Sequence, residues 1–302
     1  MTPPANTDRV FVRAPAKINL CLHVGERRTD GFHELESLVA FTNFGDELLL
    51  ERDEGLSLSV AGPFGEGLSQ GDENLIMKAA RNLAVQTGAT SGARITLTKR
   101  LPLASGIGGG SADAAAALRG LSRLWDLDVP ALELQTVAAA IGSDVPVCLA
   151  SCAAWMTGRG ENVQPLLQLP EISLVLVNPM VEVPTARVFG LLKERRGADR
   201  RAPLEGFADA ATLVRYLKAC GNDLENPAME IAPLIGETID EIARLPDVLL
   251  ARMSGSGATC FGLVEGAEIA RECERILRAT HPDWWIVGTS LAPNEFGAAM
   301  AL

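Results

Sequence analysis

Apolar and polar positions alternate in VFVRAPAKINLCLHV, where Ile18, Leu20, Leu22 and Val24 take turns with Lys17, Asn19, Cys21 and His23. A period of two predicts a strand whose second face carries polar groups, with Lys17 and Asn19 side by side on it. The runs DELLLERD and LSLSV also alternate, and the Glu54-Gly55 pair between them reads as the turn of a hairpin. Over residues 73–87 the period lengthens: Leu75, Ile76, Ala79, Ala80 and Leu83 form a helical stripe, stopped by Gly88. A short strand, ARITLTKRL, leads into a glycine loop and then a helix over 111–125, with Ala114, Ala117, Leu118, Leu121, Leu124 and Trp125 on one face. The helix ALELQTVAAAI stops at Gly142. A strand pair, AAWMTG and NVQPLL, and the continuous apolar strand ISLVLV follow. Beyond them the spacing predicts helices at about 185–196, 209–219, 227–244 and 266–279, with strands around 249–264 and 284–291. The charged, aperiodic KERRGADRRAP reads as a loop or excursion.

This alternation of elements gives an α+β fold class. Its 302 residues suit two domains, expected as 1–155 and 156–302, with the last strand and tail returning to the first. A formal charge of -11 argues against a general nucleic-acid binder, which needs clustered Lys and Arg. No apolar run of signal-peptide or membrane-spanning length occurs, so a cytoplasmic chain is expected. The six cysteines contain no CxxC pair and read as small buried hydrophobes rather than metal ligands or disulfides.

The candidate chemistry lies in LPLASGIGGGSADAAAAL, a glycine loop joined to an alanine-rich helix. Such a junction exposes unpaired backbone N–H groups where the helix dipole is positive, and phosphate is the natural occupant. Gly106, Gly108, Gly109 and Gly110 let the backbone wrap phosphate, and Ser111 can cap the helix and offer a hydroxyl to phosphate or magnesium. Two better-known phosphate loops do not fit. No Lys follows the glycines as in a P-loop, and counted from Gly106 the third dinucleotide-fingerprint glycine is replaced by Ser111. In IGSDVPVC, Asp144 stands between a glycine-stopped helix and Pro146, a bend that reads either as a turn or as a presented carboxylate.

PLASGIGGGSADAAAAL resembles the central ATP-binding motif of the GHMP kinases. APAKINLCLHV and MSGSGATCFGLV resemble that family's N-terminal and C-terminal motifs, in the same order. Within the family, PAKINL, RTDGFHELESL, ENLI, IGSDVPVCL and VPTARVF resemble the branch whose acceptor is methylerythritol joined to cytidine diphosphate. The resemblance implies a two-lobed fold with a ribosomal-S5-like N-terminal lobe and an α+β C-terminal lobe, ATP with Mg²⁺, and an active site between the lobes. It makes Pro102, Leu103, Ala104, Ser105, Gly106, Ile107, Gly108, Gly109, Gly110, Ser111 and Ala112 the ATP-binding segment. It makes Asp144 the base for the acceptor hydroxyl and Lys17 its partner, in contact with the transferring phosphate or with Asp144 alone.

For the acceptor, the resemblance assigns His33 to the cytosine edge, with Phe32 and Phe189 offering stacking faces. Phe32 stands where the family usually has Tyr, and Phe189 reads equally as a core residue of an amphipathic helix. Asn19 and Thr185 are further contacts, and Ser254, Gly255, Ser256 and Gly257 either close over ligand or form a tight connection. Another GHMP small-molecule kinase, of the homoserine or mevalonate type, and a catalytically inactive nucleotide-binding regulator are the alternatives.

Overall fold

The computed structural model describes residues 8–192, 203–292 and 299–301. It opens with two long strands, β1 (Arg9–Arg27) and β2 (His33–Asp53), followed by β3 (Leu56–Ala61), α1 (Leu75–Thr87) and β4 (Gly92–Thr98). Next come α2 (Gly109–Leu124), α3 (Ala131–Ile141), α4 (Val145–Ala150) and the strands β5 (Ala154–Gly158) and β6 (Asn162–Pro165). These strands and the short β11 (Met300–Ala301) form one sheet in the order β11-β1-β2-β4-β3, and β5 extends it by pairing with the first part of β2 and with β6.

A second, four-stranded sheet has the order β10-β7-β9-β8, from β7 (Ser173–Asn178), β8 (Leu250–Met253), β9 (Cys260–Val264) and β10 (Trp285–Ser290). The helices α5 (Thr185–Gly190), α6 (Ala210–Ala219), α7 (Glu225–Ile231), α8 (Leu234–Ala243) and α9 (Ala267–Thr280) complete the fold. Among the described residues, no helix is long and apolar enough to cross a membrane.

The two long strands were only partly legible in the sequence. β1 carries register shifts between Pro15 and Lys17, Asn19 and Cys21, and Val24 and Arg27. Each shift exchanges which face a side chain takes, so no single alternation runs through the whole strand. The start of β2 carries no period-two signal, because residues 37–42 are buried on both faces and lose the polar beat.

The expected hairpin of DELLLERD with LSLSV does not form. β4 lies between the two, antiparallel to β2 and parallel to β3. Gly92 makes the insertion possible: a Cβ there would stand 2.5 Å from both the Asp53 carbonyl oxygen and the Gly55 nitrogen. The helix expected over 227–244 is also divided, into α7 and α8, with Pro233 as the N-cap of α8 and Ala232 outside helical geometry. A residue that precedes proline is sterically pushed from the helical region. The helix expected to reach 196 is described as far as Gly190; its last residues, and all of KERRGADRRAP except Pro203, lie outside the described residues.

α2 is packed on the first sheet along nearly its whole length, burying Ala112 and Ala114–Leu118 with Leu121 and Leu124. The small side chains bring the helix axis close to the sheet. At Gly120, a Cβ would already meet Leu50 at 2.6 Å. This packing fixes the helix whose N-terminus carries the glycine loop.

Candidate active site

Backbone geometry shapes the glycine loop. Ala104, Gly106 and Gly108 have φ of 47°, 76° and 66°, so every second residue is left-handed. Left-handed residues placed at intervals along a loop turn backbone N–H groups toward a common concavity that suits an anion. Gly108 is the N-cap of α2, and the helix begins at Gly109. Ser111 is therefore inside the first turn and does not cap it, because the left-handed Gly108 has already turned the chain into the helix. Beside the loop is a cleft of about 280 Å³, lined by Pro102, Leu103, Ala104, Ser105, Gly109 and Gly110 of the expected segment. Leu68, Ser69, Glu73, Asn74 and Leu75 form its other wall. Asn74 is held there by capping α1, its side-chain oxygen accepting from the Ile76 N–H at 2.9 Å.

Lys17 and Asp144 meet at the other side of the loop, with Nζ 2.8 Å from Oδ2. Lys17 is buried, whereas the Asp144 side chain remains about one-third exposed. Asp144 occupies the N-cap of α4 but makes no side-chain capping bond, so its carboxylate is not consumed by the turn. The Lys17 backbone N–H donates to the Ile107 carbonyl at 2.9 Å, tying the strand directly to the loop. A Cβ on Gly108 would lie 3.3 Å from the Lys17 Cβ. The lysine, the carboxylate and the loop thus share one small region.

The C-terminal glycine motif closes against this loop. Ser254 Oγ donates to the Gly106 carbonyl at 3.2 Å and accepts from the Asn19 backbone N–H at 3.1 Å. Thr259 N–H donates to the Ser105 carbonyl at 3.1 Å. A Cβ on Gly106 would stand 2.6 Å from the Ser254 carbonyl oxygen, and one on Gly255 2.7 Å from the Gly106 carbonyl oxygen. Several glycines of these motifs are therefore needed for the two backbones to approach. Asn222, unrecognised in the sequence, holds the motif from behind by donating to the Met253 and Gly255 carbonyls. The Asn19 side chain donates to Ser37 Oγ at 2.8 Å, and the hydroxyls of Thr185 and Ser256 are 2.9 Å apart.

His33 and Phe189 lie ring on ring, with centroids 5.2 Å apart and planes inclined by 21°. Phe32 is not part of that stack; it is largely exposed, with the Arg159 guanidinium 5.3 Å from its ring centre. The structure therefore pairs two of the three residues expected around a base and leaves the third on a nearby cation.

Sequence reasoning missed the charged group under the loop altogether. Lys99 Nζ lies 2.6 Å from carboxylate oxygens of both Asp46 and Asp113, and all three side chains are buried. The second Asp46 oxygen accepts from the backbone N–H groups of Arg100 and Leu101, which fixes the entry to the loop. Asp113 Oδ1 has no hydrogen-bond partner. Burial, with Asp46 adding to it, holds Asp113 well above the usual carboxylate range against the pull of Lys99. The two carboxylates raise Lys99 in turn, against its own desolvation. Three residues so distant in sequence, each ordinary in its local pattern, gave no signal.

A family model described as GHMP kinases N terminal domain matches residues 74–151, and one described as GHMP kinases C terminal matches residues 204–283. A 4-diphosphocytidyl-2-C-methyl-D-erythritol kinase of Paramagnetospirillum magneticum is 52% identical over 282 residues, 93% of this chain and 98% of that protein. The protein of the same name from Rhodospirillum rubrum is 50% identical over 280 residues, 92% of this chain and 91% of its own. Among solved structures, a 4-(cytidine 5'-diphospho)-2C-methyl-D-erythritol kinase matches with a TM-score of 0.75 and 35% identity, covering 93% of this chain and 99% of its own. Homoserine kinase from Cytophaga hutchinsonii shares the fold, with a TM-score of 0.68 at 16% identity, covering 100% of this chain and 99% of its own.

Proposed function

The chain belongs to the GHMP kinases, and from that membership we propose that it phosphorylates the 2-hydroxyl of 4-diphosphocytidyl-2-C-methyl-D-erythritol with ATP, in isoprenoid precursor synthesis. The acceptor is named by the relatives at about half identity along nearly the whole chain. The chemistry rests on the Lys17–Asp144 pair beside the left-handed loop.

Asp144 takes the proton of the acceptor hydroxyl as its oxygen bonds to the γ-phosphorus and the bond to the leaving ADP oxygen breaks. The neighbouring Lys17 ammonium, 2.8 Å from the Asp144 carboxylate, offsets negative charge on the group in transfer. Loop backbone N–H groups and the N-terminus of α2 hold the phosphates. The residues fit such an occupant, because Gly109 and Gly110 border the cleft at the start of α2 without side chains to obstruct it. Mg²⁺ would suit a hard oxygen donor such as the Ser111 hydroxyl and would neutralise phosphate charge when bound with ATP.

On the acceptor side, His33 reads the cytosine edge, Phe189 and Phe32 offer aromatic faces, and Asn19, Thr185, Ser254, Gly255 and Gly257 border the reacting end. The ring-on-ring contact of His33 with Phe189 supports a shared aromatic wall. A division into two domains is part of the same proposal, supported by the two separate sheets, but the strands β5 and β6 carry the first sheet past the expected boundary at 155 as far as Pro165. So is a cytoplasmic location, where ATP is supplied.

The test is ADP release from ATP across a panel of acceptors: the cytidylyl compound, methylerythritol phosphate, homoserine and mevalonate. Release with the cytidylyl compound alone is expected. Preference for homoserine or mevalonate moves the chain to another branch of the family, and the absence of ADP release with every acceptor points to a catalytically inactive nucleotide-binding regulator.

A further inference from the structure

One cluster is unrelated to phosphoryl transfer. Cys21 and His23 stand two residues apart on β1, and Cys220 ends α6. A sulfur from each cysteine and a nitrogen of the imidazole all lie within 4.8 Å of one another, Cys21 buried and the other two half-buried. Cys220 is 199 positions from Cys21, so the meeting has no local signature in the sequence.

Backbone bonds lock the arrangement. The Leu22 N–H donates to the Gly221 carbonyl and the Asp223 N–H to the Leu22 carbonyl, both at 2.9 Å. Asp223 Oδ2 accepts from the Val24 N–H at 2.9 Å, while its Oδ1 lies 3.8 Å from His23 Nδ1. A carboxylate set against one ring nitrogen is the usual orienting partner of a ligating histidine.

We propose that Cys21, His23 and Cys220 form a binding site for a single divalent ion of the zinc class, with water in the fourth position. Two thiolates and an imidazole are the donor set such an ion prefers over hard oxygen-seeking cations. With Zn–S of about 2.3 Å and Zn–N of about 2.0–2.1 Å, tetrahedral ligands stand about 3.5–3.8 Å apart. The observed cluster therefore needs to contract by about 1 Å or less at its widest, within side-chain reach. The ion clips β1 to the segment that carries Asn222, the residue holding the C-terminal glycine motif.

The experiment uses the full chain, stripped with a chelator and titrated with Zn²⁺ against a chromophoric competitor, then repeated with Co²⁺ to read thiolate-to-metal absorption. One equivalent of Zn²⁺ is expected, together with a thiolate–cobalt band. Cys220→Ser and His23→Gln should each weaken binding about tenfold or more while circular dichroism stays native. Asp223→Asn should weaken it less. Absence of Zn²⁺ binding, undiminished binding in the Cys220→Ser/His23→Gln double variant, Co²⁺ uptake without the thiolate band, or a Cys21–Cys220 disulfide in untreated protein would each overturn the proposal.

Discussion

Lys17 contributes twice, since its ammonium meets Asp144 and its backbone N–H takes the Ile107 carbonyl. Asp144→Asn should therefore leave nucleotide and acceptor binding nearly intact. Turnover should fall by about 10²–10⁴, because the amide keeps the shape but accepts no proton. Single-turnover kinetics alongside calorimetric titration separates the two effects, and a near-normal rate would make the carboxylate structural. A second expectation concerns Lys99, which compensates Asp46 and Asp113 in a buried space. Lys99→Met should cost about 3–5 kcal/mol at neutral pH by leaving carboxylates uncompensated. The sign follows from protonation: an acid raised in the folded state stabilises it most at low pH, and that stability is lost as pH rises through the raised value. Denaturant melts of Lys99→Met should thus approach wild type on acidification and diverge above neutrality, with Asp113→Asn partly restoring the variant. Lys17 and Asp144 were legible through the resemblance of PAKINL and IGSDVPVCL to family motifs, since local punctuation alone leaves Asp144 open between a turn and a presented carboxylate. The Lys99 group was not, since each member looks like an ordinary strand or helix position until the fold brings them together.

The glycine loop and the C-terminal glycine motif form one clasp, and a pair of substitutions distinguishes glycine needed for packing from glycine needed for ligand. Gly106→Ala places a Cβ 2.6 Å from the Ser254 carbonyl in a left-handed residue, so the clasp must open. A loss of about 1–3 kcal/mol in stability is expected, with weaker ATP binding. At Gly110 the nearest neighbour to an added Cβ is Leu75 Cδ1 at 3.5 Å, and the residue lines the cleft. Gly110→Ala should therefore keep full thermal stability and still weaken ATP, measured by titration calorimetry. Unchanged affinity in both would remove the nucleotide from this loop. The helices α1, α2, α3, α6 and α9 were readable from apolar spacing, reinforced by side-chain caps at Asn74 of α1 and Asp209 of α6. Strand pairing was less so. Alternation says which residues share a face but not which strand lies alongside, and β2 and β3, neighbours in sequence, are separated in the sheet by β4.

The acceptor is expected to use both ends of its length, with its base at His33 and Phe189 and its hydroxyl at Asp144. Binding energy gained at the remote base is then spent on positioning the reacting end. Methylerythritol phosphate should be a very poor acceptor even at high concentration, and His33→Ala should raise the acceptor KM while sparing that of ATP. Equal rates with both acceptors, or an equal rise in both KM values, would remove the base from this wall. Phe32→Tyr should be tolerated, because Phe32 is largely exposed and has room for a hydroxyl. The clasp between the two glycine motifs also bears on how the protein is made. Ser254 reaches Gly106 across 148 positions and Asn19 across 235. A nascent chain still on the ribosome can build the first sheet apart from β11, and α2, from residues already synthesised, yet it lacks the backbone against which Ser105 and Gly106 are held until Ser254 to Thr259 emerge. Nucleotide affinity should therefore appear late in translation, stalled chains ending before residue 250 failing to retain on an ATP matrix while released full-length protein is captured.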